Sequence, residues 1–148
     1  MNTFARSLAT LGFIGYIPYA PGTFGTLAAF CLYILLQPSL QLQIVLLLVL
    51  VPAGIWSSHV AEILLKSRDS RHIIIDEFCG YLISVLFIPF SLGNAVAAFL
   101  LFRFFDILKP FPIRQIERFL SGGKGIMADD IAAALYTNAI LQIWRVVF

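Results

Sequence analysis

Two pairs of adjacent carboxylates, Asp76–Glu77 and Asp129–Asp130, stand in otherwise apolar sequence. The first follows three isoleucines in IIIDEFCGYL, and the second opens a nearly uncharged run in IMADDIAAALY. Small residues follow each pair about one turn later: Gly80 after the first, and Ala132, Ala133 and Ala134 after the second. Small residues let apolar helices approach closely. If these two helices pack there, up to four carboxylates converge, and a cluster of like charges needs a cation between them. A site of oxygen ligands alone, near an anionic membrane surface, suits Mg²⁺. Asp76, Glu77, Asp129 and Asp130 are therefore candidate metal ligands. Taken singly, either pair also reads as an N-terminal cap opposing a helix dipole. That alternative is weaker for Asp76 and Glu77, because an ionisable group inside an apolar span costs roughly 2.5–3.5 kcal/mol on insertion scales.

A second constellation lies in LLFRFFDILKPFPIR. Arg103, Asp106 and Lys109 recur every three residues and share one helix face before Pro110 and Pro112 end the helix. An Arg grips phosphate through two parallel hydrogen bonds and a Lys acts as a point charge, although the trio also reads as a local ion-pair set. In YAPGTFGTLAAF, Thr23 and Thr26 can cap a helix start whose free N–H groups bind anions. The residues alone favour a plain cap there, with Gly25 and Ala29 as a packing seam. GGKG, from Gly122, reads equally as a phosphate-approaching turn and as a mobile linker. His59 reads as a polar helix residue, and His72, four residues before Asp76, as a candidate for the edge of the site. The chain lacks a Cys-x₅-Arg loop, an Asp-x-Asp-x-Thr segment and an Arg/His-rich phosphohistidine motif. A metal-activated water is the hydrolytic chemistry left.

The elements that must position these groups follow from composition. Hydrophobic residues make up 60% of the 148 and charged residues 12%, about half the charged share of a soluble domain. The expected class is an all-α, polytopic membrane bundle forming a single domain over residues 1–148. About five apolar helices are predicted, near residues 24–37, 40–65, 73–90, 94–108 and 130–148, after a short interfacial helix over residues 3–15. Basic residues crowd alternate linkers: Arg6, then Lys66, Arg68 and Arg71, then Arg103, Lys109, Arg114, Arg118 and Lys124. The positive-inside rule then sets the N-terminus in the cytoplasm. All eight acids fall on that same side, including Glu62, Asp69 and Glu117. A net charge of +2 gives no reason to expect nucleic acid. Cys31 and Cys79 sit in separate apolar runs and predict no disulfide framework. The first eighteen residues, with one Arg and no small-residue cleavage site, do not read as a signal peptide. A small transporter or channel subunit, or a docking protein with an acidic cytoplasmic face, is the rival class, since intramembrane acids also line ion paths.

Four ordered stretches, GYIPYAPGTFGTLAA, DSRHIIIDEFCG, FRFFDILKPFPIR and GGKGIMADDIAAALY, carry a resemblance. The sequence resembles the phosphatidylglycerophosphatase A family. The resemblance implies a Mg²⁺-dependent lipid phosphatase of the bacterial inner membrane, with its site on the cytoplasmic face. It would remove the terminal phosphate of an anionic phospholipid, phosphatidylglycerophosphate, to give phosphatidylglycerol. It implies catalytic acids at Asp76, Glu77, Asp106, Asp129 and Asp130, with a further family acid at Asp69. It implies a basic pair at Arg103 and Lys109, and raises Thr23 and Thr26 to substrate-binding candidates. Ser70 stands where the family usually has proline, and His72 where it has an acid.

Overall fold

The computed structural model describes residues 2–67 and 70–147, and the side chains of all of these except residues 117 and 118. Among the described residues there are seven α-helices, one 3-10 turn and no strand. The helices are α1 (Asn2–Ala9), α2 (Pro21–Leu36), α3 (Leu40–Leu65), α4 (Ile75–Ser84), α5 (Leu92–Leu108), α6 (Ile113–Phe119) and α7 (Gly123–Val147). The 3-10 turn, Ile14–Tyr16, links α1 to α2.

Helix α4 is the axis of the bundle and packs against α2, α3, α5 and α7. Seven of its ten residues are buried, including Asp76, Gly80 and Tyr81. The expectation of one long span over residues 73–90 needs correcting. The helix ends at Ser84, Phe87 takes a positive φ of 62°, and Pro89 disfavours helix in the residue before it. Hydropathy sees an apolar run and cannot see these backbone stops. Ten residues rise only about 15 Å, half of a hydrocarbon core of about 30 Å. The open carbonyls at that end are met by α7. Asn138 Nδ2 donates to the carbonyls of Ser84 and Leu86 at 3.0 and 2.7 Å, and more distantly to that of Ile83. Arg145 donates to the carbonyl of Phe87 at 3.1 Å.

Helix α3 is capped by Ser39, whose hydroxyl accepts from the Leu42 N–H at 3.3 Å. Among the described residues it alone is long and apolar enough by itself to cross a membrane. Its inner face is built of small residues, Gly54, Ser57, Ser58 and Ala61, all buried, so neighbouring helices come close. Helix α1 lies against it through the fully buried Ala5 and Ala9, with Phe4 beside Trp56.

Helix α7 starts at Gly123, seven residues earlier than the predicted boundary. The GGKG segment is therefore neither a mobile linker nor a free loop. A Cβ on Gly123 would overlap the Ile55 carbonyl oxygen and come within 2.7 Å of the His59 amide nitrogen. Backbone against backbone is the reason for glycine here. The short N-terminal helix expected over residues 3–15 also needs correcting: α1 ends at Ala9, six residues early, where Leu11 and Gly12 take positive φ values of 47° and 71°. The remaining boundaries shift by three residues or fewer.

Candidate metal centre

The carboxylates gather at one end of the bundle. That end collects the first turns of α2 and α4, the last turns of α5 and the second and third turns of α7. Ile74 takes the cap position of α4 without a side-chain hydrogen bond, which puts Asp76 and Glu77 in the first turn. Asp129 and Asp130 lie inside α7, six and seven residues past its start. An N-terminal cap thus does not explain the second pair. In the first turn of α4 the dipole does favour a negative charge.

Asp76, Glu77 and Asp130 each place one carboxylate oxygen so that the three lie within 4.8 Å of one another. Asp76 and Asp130 are buried, at 7% and 3% exposure. The Asp106 carboxyl lies beside that of Asp130. Asp129 is not in the three-carboxylate group. It faces Lys109, whose Nζ donates to Asp129 Oδ2 at 2.6 Å. Neighbours in a helix point about 100° apart, and here Asp129 is turned to Lys109 and Asp130 to the cluster, whereas the equally adjacent Asp76 and Glu77 both reach it. Arg103 Nη1 pairs with Asp106 Oδ2 and stands 3.8 Å from Glu77 Oε1. The two cations expected to hold phosphate are therefore paired with acids at this end of the bundle, Arg103 with Asp106 and near Glu77, and Lys109 with Asp129.

The cluster fits a divalent cation. Asp76 Oδ1, Glu77 Oε2 and Asp130 Oδ2 are buried and accept no hydrogen bond from the protein. A buried polar atom without a partner is costly, and three negatively charged groups this close repel. One hard cation answers both, since it takes oxygen ligands and keeps part of its water shell.

The wall on the α2 side depends on a glycine. A Cβ on Gly22 would overlap Glu77 Oε1 and come within 3.3 Å of Arg103 Nη1. The sequence suggests Gly25 and Ala29 as the packing seam of α2, and Gly22 is the closer contact to the site. Its signal was its place between Pro21 and Thr23 at a helix start. The threonines also need correcting. The cap of α2 is Ala20, with φ 47° and no side-chain cap, because Pro21 is pre-set for the first helical position. Thr26 is fully buried and its hydroxyl donates to the Gly22 carbonyl at 3.0 Å. Thr23 is half-buried, and its N–H donates to the Ala20 carbonyl at 3.0 Å. The sequence sets Gly80 at the α4–α7 contact, and the structure adds α5 to it. Gly80 faces the Phe102 ring of α5, with the Asp130 carbonyl oxygen 3.4 Å from where a Cβ would stand.

The His72 ring is taken up by the 3-10 turn. Its Nδ1 is 2.8 Å from the Gly15 carbonyl oxygen and it stacks on Tyr16 at 4.9 Å, which ties the 3-10 turn to the segment before α4. His59 lies on α3 beside Gly122. Asp69, a site residue by resemblance, lies outside the described residues.

Fold and site together define a class: an all-helical protein with one membrane-length apolar helix and a buried carboxylate centre able to hold a metal ion. The family model for phosphatidylglycerophosphatase A matches residues 7–145. The chain belongs to that family. It is 48% identical over 81 residues to a phosphatidylglycerophosphatase A of Haemophilus influenzae, covering 52% of this chain and 50% of that one. It is 38% identical over 89 residues to the protein of the same description from Escherichia coli, covering 60% and 52%. It is also 38% identical over 96 residues to a putative phosphatidylinositol-3-phosphatase of Bacteroides thetaiotaomicron, covering 63% and 59%. The match spans about half the length of each of these relatives. No solved structure matches significantly.

Proposed function

We propose that this chain is a phosphoric monoester hydrolase that removes the terminal phosphate of phosphatidylglycerophosphate in a Mg²⁺-dependent reaction, giving phosphatidylglycerol and phosphate in bacterial phospholipid synthesis. The observation that carries the reading is the meeting of Asp76, Glu77 and Asp130 within 4.8 Å, with Arg103 and Lys109 paired to acids at the same end of the bundle, in a chain of the phosphatidylglycerophosphatase A family. Asp76, Glu77 and Asp130 hold the metal. What Mg²⁺ supplies when bound is neutralisation of charge on the phosphoryl oxygens. Arg103 and Lys109 bind the terminal phosphate and orient it, with Asp106 and Asp129 holding those two side chains in position. A carboxylate of the cluster takes a proton from the attacking water. The water oxygen bonds to phosphorus, the phosphorus–oxygen bond to glycerol breaks, and the leaving glycerol oxygen takes up a proton. Thr23 and Thr26 contribute by shaping the start of α2, where the Thr26 hydroxyl holds the Gly22 carbonyl and Gly22 lets the helix approach Glu77 and Arg103.

The same reading sets the chain in the bacterial cytoplasmic membrane as a multi-pass protein, with N-terminus and site on the cytoplasmic side. Helices α2, α3, α5 and α7 make the long passages, and α4 with the segment after it makes the fifth. Support comes from the basic residues at the acid end, Arg6, Lys66, Arg71, Arg114 and Lys124. Exposed apolar side chains such as Leu48, Leu100 and Ile143 along the outer faces support it too.

The deciding assay is phosphate release by the purified protein in detergent micelles, with Mg²⁺ and with EDTA. Phosphatidylglycerophosphate, phosphatidic acid and phosphatidylinositol 3-phosphate are run side by side, the last because a relative's description names that lipid class. Mg²⁺-dependent release that prefers the first lipid is expected. Release from none of them by folded protein would return the chain to the transporter or docking class.

A further inference from the structure

Helix α4 stops at Ser84, and beside its end α3 and α7 frame a groove of about 410 Å³, open on one side. Ile44, Leu48 and Pro52 lie along the α3 wall, Ile83 and Leu86 come from the end of α4 and the segment after it, and Ile131 stands on α7. Asp130 turns to the metal-competent cluster, and the next residue, Ile131, turns to the groove.

Position and lining narrow what can lie there. Ile44 and Pro52 are four and twelve residues past Leu40, so the wall runs from about 6 to about 18 Å along a helix about 39 Å long. That is the half of α3 away from the acids, since α7 begins beside His59 near the other end of α3. Every lining residue is apolar and non-aromatic. Leu48 and its neighbours Val45 and Val49 are exposed, so the groove is a recess continuous with the apolar outer face of α3. A recess left empty forfeits the dispersion contacts of its walls. A water there would find no polar side chain to bond. A second helix is too wide to fill it: with side chains a helix is about 10–12 Å across, so a 12 Å length takes up about 900 Å³ or more, over twice the groove. A single hydrocarbon chain is narrow and apolar enough.

We propose that this groove holds one acyl chain of a phospholipid from the leaflet opposite the acid cluster, with its headgroup toward the Leu40 end of α3 and its chain end toward Pro52 and Ile131. The chain takes the place that a full-length α4 would have filled, and packing contacts rather than hydrogen bonds retain it. The inference rests on the multi-pass placement given above and not on the phosphatase reaction.

Photo-labelling of the full-length protein in liposomes tests this. Two phosphatidylcholines are used, one with a diazirine near the glycerol end of an acyl chain and one with it at the chain end. One set of samples is illuminated in the bilayer, and a second only after bulk lipid has been washed away in detergent. Labelled residues are read by peptide mass spectrometry. Expected after washing is label in the groove, from the chain-end probe near Pro52 and Ile131 and from the other probe near Ile44. Val51→Phe, which adds volume in the groove wall, is expected to lose this label at least fivefold, while Leu100→Trp on the exposed face of α5 keeps it. Should V51F fail to fold, Leu48→Trp carries the same comparison. Label in the unwashed samples around Leu100 and Ile143 reports the multi-pass placement separately. Label there without retained label in the groove, or equal retained label in wild type and V51F, overturns the proposal and leaves the placement standing. No label anywhere overturns both. A reversed order of the two probes overturns the leaflet assignment, and a chain dimer by native mass spectrometry with an unlabelled groove gives this face to a second copy instead.

Discussion

Lys109 Nζ stands 2.6 Å from Asp129 Oδ2, while the next residue, Asp130, turns to Asp76 and Glu77. One helical step therefore divides a pair of acids into an anchor for a cation side chain and a member of the metal-competent cluster.

The two halves of the pair are expected to respond differently to neutralisation. Asp130→Asn and Asp76→Asn each lower phosphate release by about 10²–10³-fold, as expected when a charged group of the reacting centre is lost. Asp129→Asn acts through Lys109 and costs about 10–100-fold, seen mainly as a raised KM. Full Mg²⁺ titrations of the purified variants read the difference. Equal loss of metal affinity in D129N and D130N would put Asp129 among the ligands.

Metal removal carries a sign that stability measurements can read. Without a cation the three buried carboxylates repel, so in EDTA Asp130→Asn melts higher than the wild type. With Mg²⁺ at about 100 times its dissociation constant, the wild type gains about 2.7 kcal/mol and the order reverses. Thermal unfolding in both buffers checks this, and the same order in both would argue against a metal at these residues.

Gly22→Ala adds one methyl where Glu77 Oε1 stands. Helix propensity alone favours alanine, but overpacking costs about 1–3 kcal/mol. The variant is expected to lose activity by about tenfold or more, since a shift of about 1 Å at a reacting centre can cost about a hundredfold. Activity and melting temperature are measured together. Unchanged activity would show that α2 need not approach Glu77 so closely.

Asn138→Leu removes the donors that reach the carbonyls of Ser84 and Leu86 at 3.0 and 2.7 Å. Leaving buried carbonyls open is expected to cost about 1–3 kcal/mol. Because α4 carries Asp76 and Glu77 at its other end, activity near the melting range falls with stability. Denaturant or thermal unfolding in micelles gives the number, and an unchanged midpoint would mean water serves those carbonyls.

Much of this was legible in the sequence because it is local. Apolar runs of 16–26 residues fix helices α2, α3 and α5 within a few residues, since helix length and hydropathy are properties of neighbouring positions. Acids amid isoleucines and alanines mark themselves as out of place for the same reason, and so Asp76, Glu77 and Asp130 could be named in advance. The early end of α4 and the early start of α7 were not legible from hydropathy, and the groups that complete both ends lie far along the chain. Asn138 lies more than fifty residues from the carbonyls it meets, and Gly123 is chosen by the backbone of α3. The division of labour between Asp129 and Asp130 likewise depends on where α5 ends and α4 begins relative to α7. Residue type and spacing determined which groups could do chemistry. Only the packing of four helices decided which oxygens meet: adjacent Asp76 and Glu77 reach one cluster while the equally adjacent Asp129 and Asp130 are divided, because what each side chain meets depends on the helices beside it.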